Sequence, residues 1–181
     1  DAFRLVAAEM PEAELLFVGS GQTAEMKGRL ERYGLRSRAK FLGPLPREKV
    51  AGWLRACTVL CAPSFGEPYG QNILEAMASG KPVVGTTEGG HRHLLDSHGG
   101  YRIAPGEVSA LAAALLDILR DRSRAERMGR YNRALVETRN AWPSVADELE
   151  CLYRSAIAAR NPGADLVRRV HSNAAGGSYP L

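Results

Sequence analysis

The stretch richest in chemical possibility runs from Pro63 to Val84 and reads PSFGEPYGQNILEAMASGKPVV. It holds two carboxylates, Glu67 and Glu75, with Gly70, Gln71 and Asn72 between them. Read physically, this is a strand end, a glycine-punctuated loop and a helix start. The first backbone N–H groups of a helix have no intrahelical acceptor, and that end of the helix dipole is positive. The N–H groups around Tyr69, Gly70, Gln71 and Asn72 are therefore expected to point outward, unpaired, as a receptor for an anion such as a diphosphate. Glu67 stands in the loop on one side, and Glu75 lies about one and a half turns inside the helix. Carboxylates accept hydrogen bonds, including paired ones from neighbouring hydroxyls. An anion receptor between two such acceptors suits a ligand with hydroxyls at both ends, and a nucleotide sugar is such a ligand. Two glutamates alone would read better as a loop charge and an exposed helical residue. The surrounding residues decide between these readings.

The elements that must position this stretch alternate. Apolar residues at helical spacing over 2–9 are followed by a short apolar run at 15–18, then Gly19-Ser20-Gly21 and a helix over 23–33 closed by Gly34. A second apolar run, 40–42, is closed by Gly43-Pro44, and Pro46 suits the first turn of a helix reaching Leu54. Strands are expected at 58–62, at 82–85 and at 101–103, with the helix 72–78 ended by Gly80 and a turn at Gly89-Gly90 leading into 91–95. The strands are continuous apolar runs, which predicts a parallel sheet with helices on both faces, an α/β Rossmann-like fold. Ligands of such sheets sit at the carboxyl ends of the strands, where the glycine-rich turns fall. From Val108 the pattern is helical: Leu111, Leu115, Ile118 and Leu119 share a face, 122–139 is a further helix, and Pro143 starts another with Val145, Leu149, Leu152 and Ile157 as its stripe. We expect a domain over 1–160 and a loosely structured tail over 161–181, rich in Gly and lacking periodicity. The chain opens in a helix where such a sheet ordinarily opens in a strand, so the first strand and its loop are expected to precede Asp1.

The 63–84 stretch resembles the signature of glycosyltransferase family 4, retaining enzymes of the GT-B fold. The family pattern is Glu, seven residues and a second Glu, in a setting such as E-G-F-G-x-x-x-L-E-A-M-A-x-G-x-P-V. Here it stands as Glu67-Pro68-Tyr69-Gly70 through Leu74-Glu75-Ala76-Met77-Ala78, with Gly80, Pro82 and Val83 beyond. Phe17-Val18-Gly19-Ser20-Gly21, Phe41-Leu42-Gly43, Ala62-Pro63-Ser64 and Gly89-Gly90 follow the family order, and the likeness covers roughly residues 2–155.

The resemblance implies the C-terminal, donor-binding half of an enzyme that moves a hexosyl-type sugar from a nucleoside diphosphate to an acceptor with retention. By it, Glu75 would hold the donor ribose and Glu67, the residue assigned a catalytic role, would contact the sugar hydroxyls. The backbone at Tyr69, Gly70, Gln71 and Asn72 would face sugar and diphosphate, Gly19 and Gly21 would admit the ligand, and Phe41 and Leu42 would lie beside the base. It implies no metal and no separate cofactor. It also implies an acceptor-binding N-terminal domain that this chain does not contain, so the chain alone is expected to be inactive. Relatives carry an Arg and a Lys near the diphosphate in a segment that would precede Asp1. The family's Gly-Gly-x-x-Glu turn reads Gly89-Gly90-His91-Arg92-His93 here, with His93 in place of the acid, and Pro68 replaces a glycine after Glu67. The alternative is a degenerate Rossmann-like binding or assembly module without catalysis; the intact glutamates and glycines speak against it.

Composition excludes several other classes. The chain has 181 residues, 45% hydrophobic and 24% charged, as an ordinary globular domain does. No apolar run is long enough to span a bilayer, and the start is not a signal peptide. Cys57, Cys61 and Cys151 are odd in number and not in a CxxC pattern, which argues against a disulfide framework or zinc site and suits a reducing, cytoplasmic setting. The net charge of +4 comes largely from Arg beside Glu or Asp on solvated helix faces. It leaves room for peripheral contact of the whole protein with anionic lipid, but no aromatic-basic interleaving points to nucleic acid. Gly19-Ser20-Gly21, with Ala24 at the third position, lacks an acid at the next strand end, so a dinucleotide site is not supported.

Overall fold

The computed structural model describes residues 1–21 and 23–160, without the side chain of His91. The expected tail over 161–181 lies outside the described residues. The chain divides into a unit of Asp1–Glu137 and a second beginning at Thr138.

In the first unit five strands, β1 (Leu15–Phe17), β2 (Ala39–Phe41), β3 (Leu60–Ala62), β4 (Val83–Thr86) and β5 (Gly100–Ile103), alternate with helices. These are α1 (Ala2–Glu9), α2 (Thr23–Arg32), α3 (Arg47–Ala56), α4 (Gln71–Ala78) and α5 (His91–Leu94). A 3₁₀ turn at Arg36–Arg38 leads into β2, and α6 (Val108–Arg120) and α7 (Arg122–Arg139) follow β5. Among the described residues every strand pairing is parallel, as the continuous apolar runs predict. The ladder is in two pieces, however: β1 pairs with β2, and β3, β4 and β5 form a separate sheet. Local pattern predicts strands but not which of them pair, and no ladder joins β1 to β3.

Two consecutive residues of β4 show why both faces of the larger sheet are covered. Val83 and Val84 are fully buried and point to opposite sides. Val83 packs with Ile73, Ala76 and Met77 of α4, whereas Val84 packs with Ala114 and Ile118 of α6 and with Ala125 and Met128 of α7. Each large apolar side chain so buried contributes about 1.5–3 kcal/mol. α1 packs its buried Ala2 and Val6 against Ala112 and Leu116 of α6. Among the described residues no helix is long and apolar enough to cross a membrane.

The second unit is described by α8 (Trp142–Arg160). None of its residues is buried, and Trp142, Leu149, Leu152, Tyr153 and Ile157 are exposed.

Candidate functional site

α4 owes its position to an apolar face and to the way it ends. Ile73, Ala76 and Met77 recur at helical spacing and are at most 1% exposed, which clamps the helix on β3 and β4. At its C-terminus the N–H of Gly80 donates to Met77 O (2.9 Å) and that of Lys81 to Ala76 O (3.0 Å). This is a Schellman closure, with Gly80 in the left-handed region (φ 70°) and Pro82 barring any continuation. At its N-terminus Gly70 is buried and also left-handed (φ 90°), a conformation that disfavours any side chain there. Its carbonyl accepts from Ile73 N (3.0 Å) and Leu74 N (3.2 Å), and Ile73 N also meets Asn72 Oδ1 (2.9 Å). The N–H groups of Gln71 and Asn72 have no acceptor among the described residues. Both residues are exposed, so an unpaired donor pair sits at the positive end of the helix and faces outward.

Glu67 and Glu75 flank this pair, and both are half-buried. Glu67 turns one carboxylate oxygen back towards Gly70 N (3.4 Å), and its main-chain carbonyl accepts from Gly90 N (2.8 Å). Glu75 shares a helix side with Asn72, three residues before it, opposite the buried Ile73, Ala76 and Met77. Its carboxylate has no partner among the described residues. Tyr69 is exposed beside Gly70.

Sequence reasoning missed what holds the Glu67 loop in place. The Gly89-Gly90 turn is seated against it with no room for side chains. A Cβ at position 90 would stand 2.5 Å from the Tyr69 carbonyl carbon and 2.7 Å from its Cα; one at position 89 would stand 3.0 Å from Glu67 N. Thr86 at the end of β4 adds a bond from Oγ1 to Ser64 O (2.8 Å). The available signal was the paired glycines directly after a buried strand.

The remaining predicted residues gather on the smaller sheet. Gly19 N donates to Gly43 O (2.9 Å) and Leu42 N to Phe17 O (2.9 Å), which ties the loops after β1 and β2 together. Gly19 is left-handed (φ 115°), and Gly21 is exposed on the same loop. The register sets Phe17 opposite Phe41, and their rings stack at 4.6 Å. Lys27 Nζ and the Arg36 guanidinium lie 5.2 and 5.3 Å from the Phe41 ring centre. Phe41 and Leu42 are thus a half-buried aromatic strand end edged by positive charge. No backbone hydrogen bond among the described residues joins this group to the Glu67–Glu75 group. A shallow depression of about 340 Å³ lined by His98, Arg124, Arg127, Met128 and Tyr131 lies near the amino end of β5, away from both.

A family model, glycosyl transferases group 1, matches residues 1–135 of the chain. The chain belongs to this family. Among curated proteins this group 1 glycosyltransferase chain is similar to the phosphatidyl-myo-inositol mannosyltransferase of Mycobacterium leprae, 32% identical over 157 residues covering 86% of the chain and 41% of the relative. It is similar also to the D-inositol 3-phosphate glycosyltransferase of Kribbella flavida, 35% identical over 128 residues covering 69% of the chain and 30% of the relative. Among solved structures it resembles Anabaena Alr3699/HepE in complex with UDP, with a TM-score of 0.77, 26% identity, and coverage of 85% of the chain and 44% of that protein. The chain therefore spans less than half the length of each.

Proposed function

We propose that this chain is the donor-binding half of a retaining glycosyltransferase that takes a hexosyl group from a nucleoside diphosphate sugar. The observation that carries the reading is the pair of unpaired N–H groups at Gln71 and Asn72, flanked by Glu67 and Glu75. The diphosphate sits on the N-terminus of α4, Glu75 accepts from the ribose hydroxyls, and Glu67 accepts from the sugar. Gly19, Gly21, Phe41 and Leu42 form the side towards the base. The UDP bound by the Anabaena relative supports a nucleoside diphosphate as the common element of the donor.

In the reaction the bond between the sugar's anomeric carbon and the diphosphate oxygen breaks. A bond to the acceptor hydroxyl oxygen forms on the same face, and the acceptor's proton passes to the departing diphosphate. Negative charge grows on that oxygen, and the α4 N–H groups stabilise it without reorganisation. In this reading no metal takes part. A facing acceptor domain excludes water and presents the hydroxyl.

The test is a titration of the chain and of Glu75→Ala with UDP, GDP and ADP and their common sugar conjugates, followed by ligand-observed NMR. Binding of one nucleotide class, weakened at least about tenfold in the variant by loss of a charged hydrogen-bond acceptor, is expected. Equal affinity of a folded Glu75→Ala variant would remove Glu75 from the site.

A further inference from the structure

The two halves of the candidate donor site are held by different parts of the fold. α4 is fixed by its own buried face, with Ile73, Ala76 and Met77 packed against Ala62, Val83 and Leu95. The Glu67 loop is hung instead from the segment that ends β4 and follows it. The β3–β4 register runs as far as Ala62 opposite Gly85. Beyond that rung the Thr86 side chain reaches the loop, its Oγ1 donating to Ser64 O at 2.8 Å. Three residues on, Glu67 O accepts from Gly90 N at 2.8 Å. Ser64 and Glu67 are thus pinned through their carbonyls, while Phe65 and Gly66 between them are exposed. Thr86 is 3% exposed, in a strand otherwise made of Val83, Val84 and Gly85. A hydroxyl buried among apolar residues is unfavourable unless it is hydrogen-bonded, and this one is bonded to the loop. The Glu67 carboxylate itself reaches Gly70 N at 3.4 Å, too long a contact to hold it in place.

Resting on the donor-site reading, we propose that Thr86 is a positioning residue for Glu67 and sets which sugar the site accepts, separately from its grip on the nucleoside diphosphate. Without the hydroxyl the loop keeps the pin from Gly90 N to Glu67 O and pivots about it. The group that swings is the Glu67 carboxylate, the acceptor for the sugar hydroxyls. The N–H groups of Gln71 and Asn72 stay, because α4 is clamped by its own core face. A carboxylate discriminates between hydroxyl positions only when it is held, since the wrong sugar then leaves it unpaired. The loop therefore reads the sugar, and the helix reads the diphosphate.

The experiment uses the full chain beside Thr86→Val and Thr86→Ser. Valine keeps the branched shape and removes the donor, whereas serine keeps the donor. Each protein is titrated calorimetrically with UDP, GDP and ADP, and with two sugar conjugates of each: UDP-glucose and UDP-galactose, GDP-mannose and GDP-glucose, ADP-glucose and ADP-mannose. Within each pair the sugars differ in the configuration of one hydroxyl. The unsubstituted chain is expected to prefer one sugar of a pair by about tenfold, the worth of a charge-assisted hydrogen bond. In Thr86→Val the preference should fall to within about twofold, with affinity for the bare nucleoside diphosphate unchanged, and Thr86→Ser should restore it. A preference that survives in Thr86→Val, or that serine fails to restore, overturns this inference alone. Loss of bare-diphosphate affinity in step with the sugar preference marks Thr86 as a general structural residue and overturns it too. Nucleotide binding with no preference between paired sugars in the unsubstituted chain removes the sugar-reading role of Glu67 and this inference with it. Failure of that chain to bind any nucleotide overturns the donor reading itself.

Discussion

Replacing Gly90 with alanine tests whether the Glu67 loop is held by close backbone packing. The added Cβ would stand 2.5 Å from the Tyr69 carbonyl carbon and 2.7 Å from its Cα. Both are main-chain atoms, so no rotamer change relieves the clash, and the turn must retreat by about 1 Å to reach ordinary van der Waals separation. Overpacking of this kind costs about 1–3 kcal/mol. The retreat also stretches the Gly90 N–H to Glu67 O bond of 2.8 Å, whose net value is about 1 kcal/mol. A combined loss of about 2–4 kcal/mol corresponds to a fall in Tm of roughly 5–10 °C for a chain of this size. The displaced Glu67 should also weaken donor-sugar binding relative to the bare nucleoside diphosphate. Gly66 supplies the control: it lies in the same loop, has nothing within 4 Å of its added Cβ, and is not left-handed. Differential scanning fluorimetry and nucleotide titration of Gly90→Ala and Gly66→Ala would read both effects. Indistinguishable Tm and donor affinity in the two variants would refute the packing argument.

Two further outcomes follow from polar groups distant from the donor site. Asn132, 1% exposed, donates from Nδ2 to Lys81 O (2.8 Å) and Gly99 O (2.7 Å), clamping the entrances of β4 and β5. Asn132→Ala leaves the Lys81 carbonyl without this donor while Gly99 O keeps the N–H of Val83 (3.2 Å), a loss of about 1–3 kcal/mol, so its urea midpoint should fall, with nucleotide affinity per folded molecule unchanged. Asp117 accepts from the Tyr101 hydroxyl and from Arg124, which holds its carboxyl below its ordinary value. Its stabilising contribution is therefore complete above the unfolded carboxylate value of about 4 and is lost as the pH falls through the lower folded value. The Tm gap between the unsubstituted chain and Asp117→Asn should be present at neutral pH and close under acid; a gap that is constant with pH would contradict this.

Much of the fold was legible because its signals are local. The boundaries of α7 coincide with the stretch expected at 122–139, and Gly80-Lys81-Pro82 announced the end of α4 through conformational demands that few other residues meet. β3 is two residues shorter at its start than expected, and the 3₁₀ turn at Arg36–Arg38 carries no distinguishing pattern. What the sequence could not convey was pairing across distance. The division of the ladder into two pieces, the Phe17–Phe41 stack set by register, and the seating of Gly89-Gly90 on the Glu67 loop all depend on neighbours remote in the chain. Asn132 was hidden for a similar reason. It falls in an arginine-rich helix whose pattern reads as solvated, yet that turn lies against Lys81 and Gly99.

The division of the ladder gives α1 an importance out of proportion to its eight residues. α1 leads into β1, yet it packs on α6, which lies over β4 and β5. It therefore works as a tie rod between the two pieces of sheet, transmitting load that no strand ladder carries. Trimming an expression boundary to begin after Met10 would cut that rod while leaving every strand in place. The β1–β2 pair would then open and exchange its amide hydrogens independently of β3–β5, turning one cooperative melting event into two.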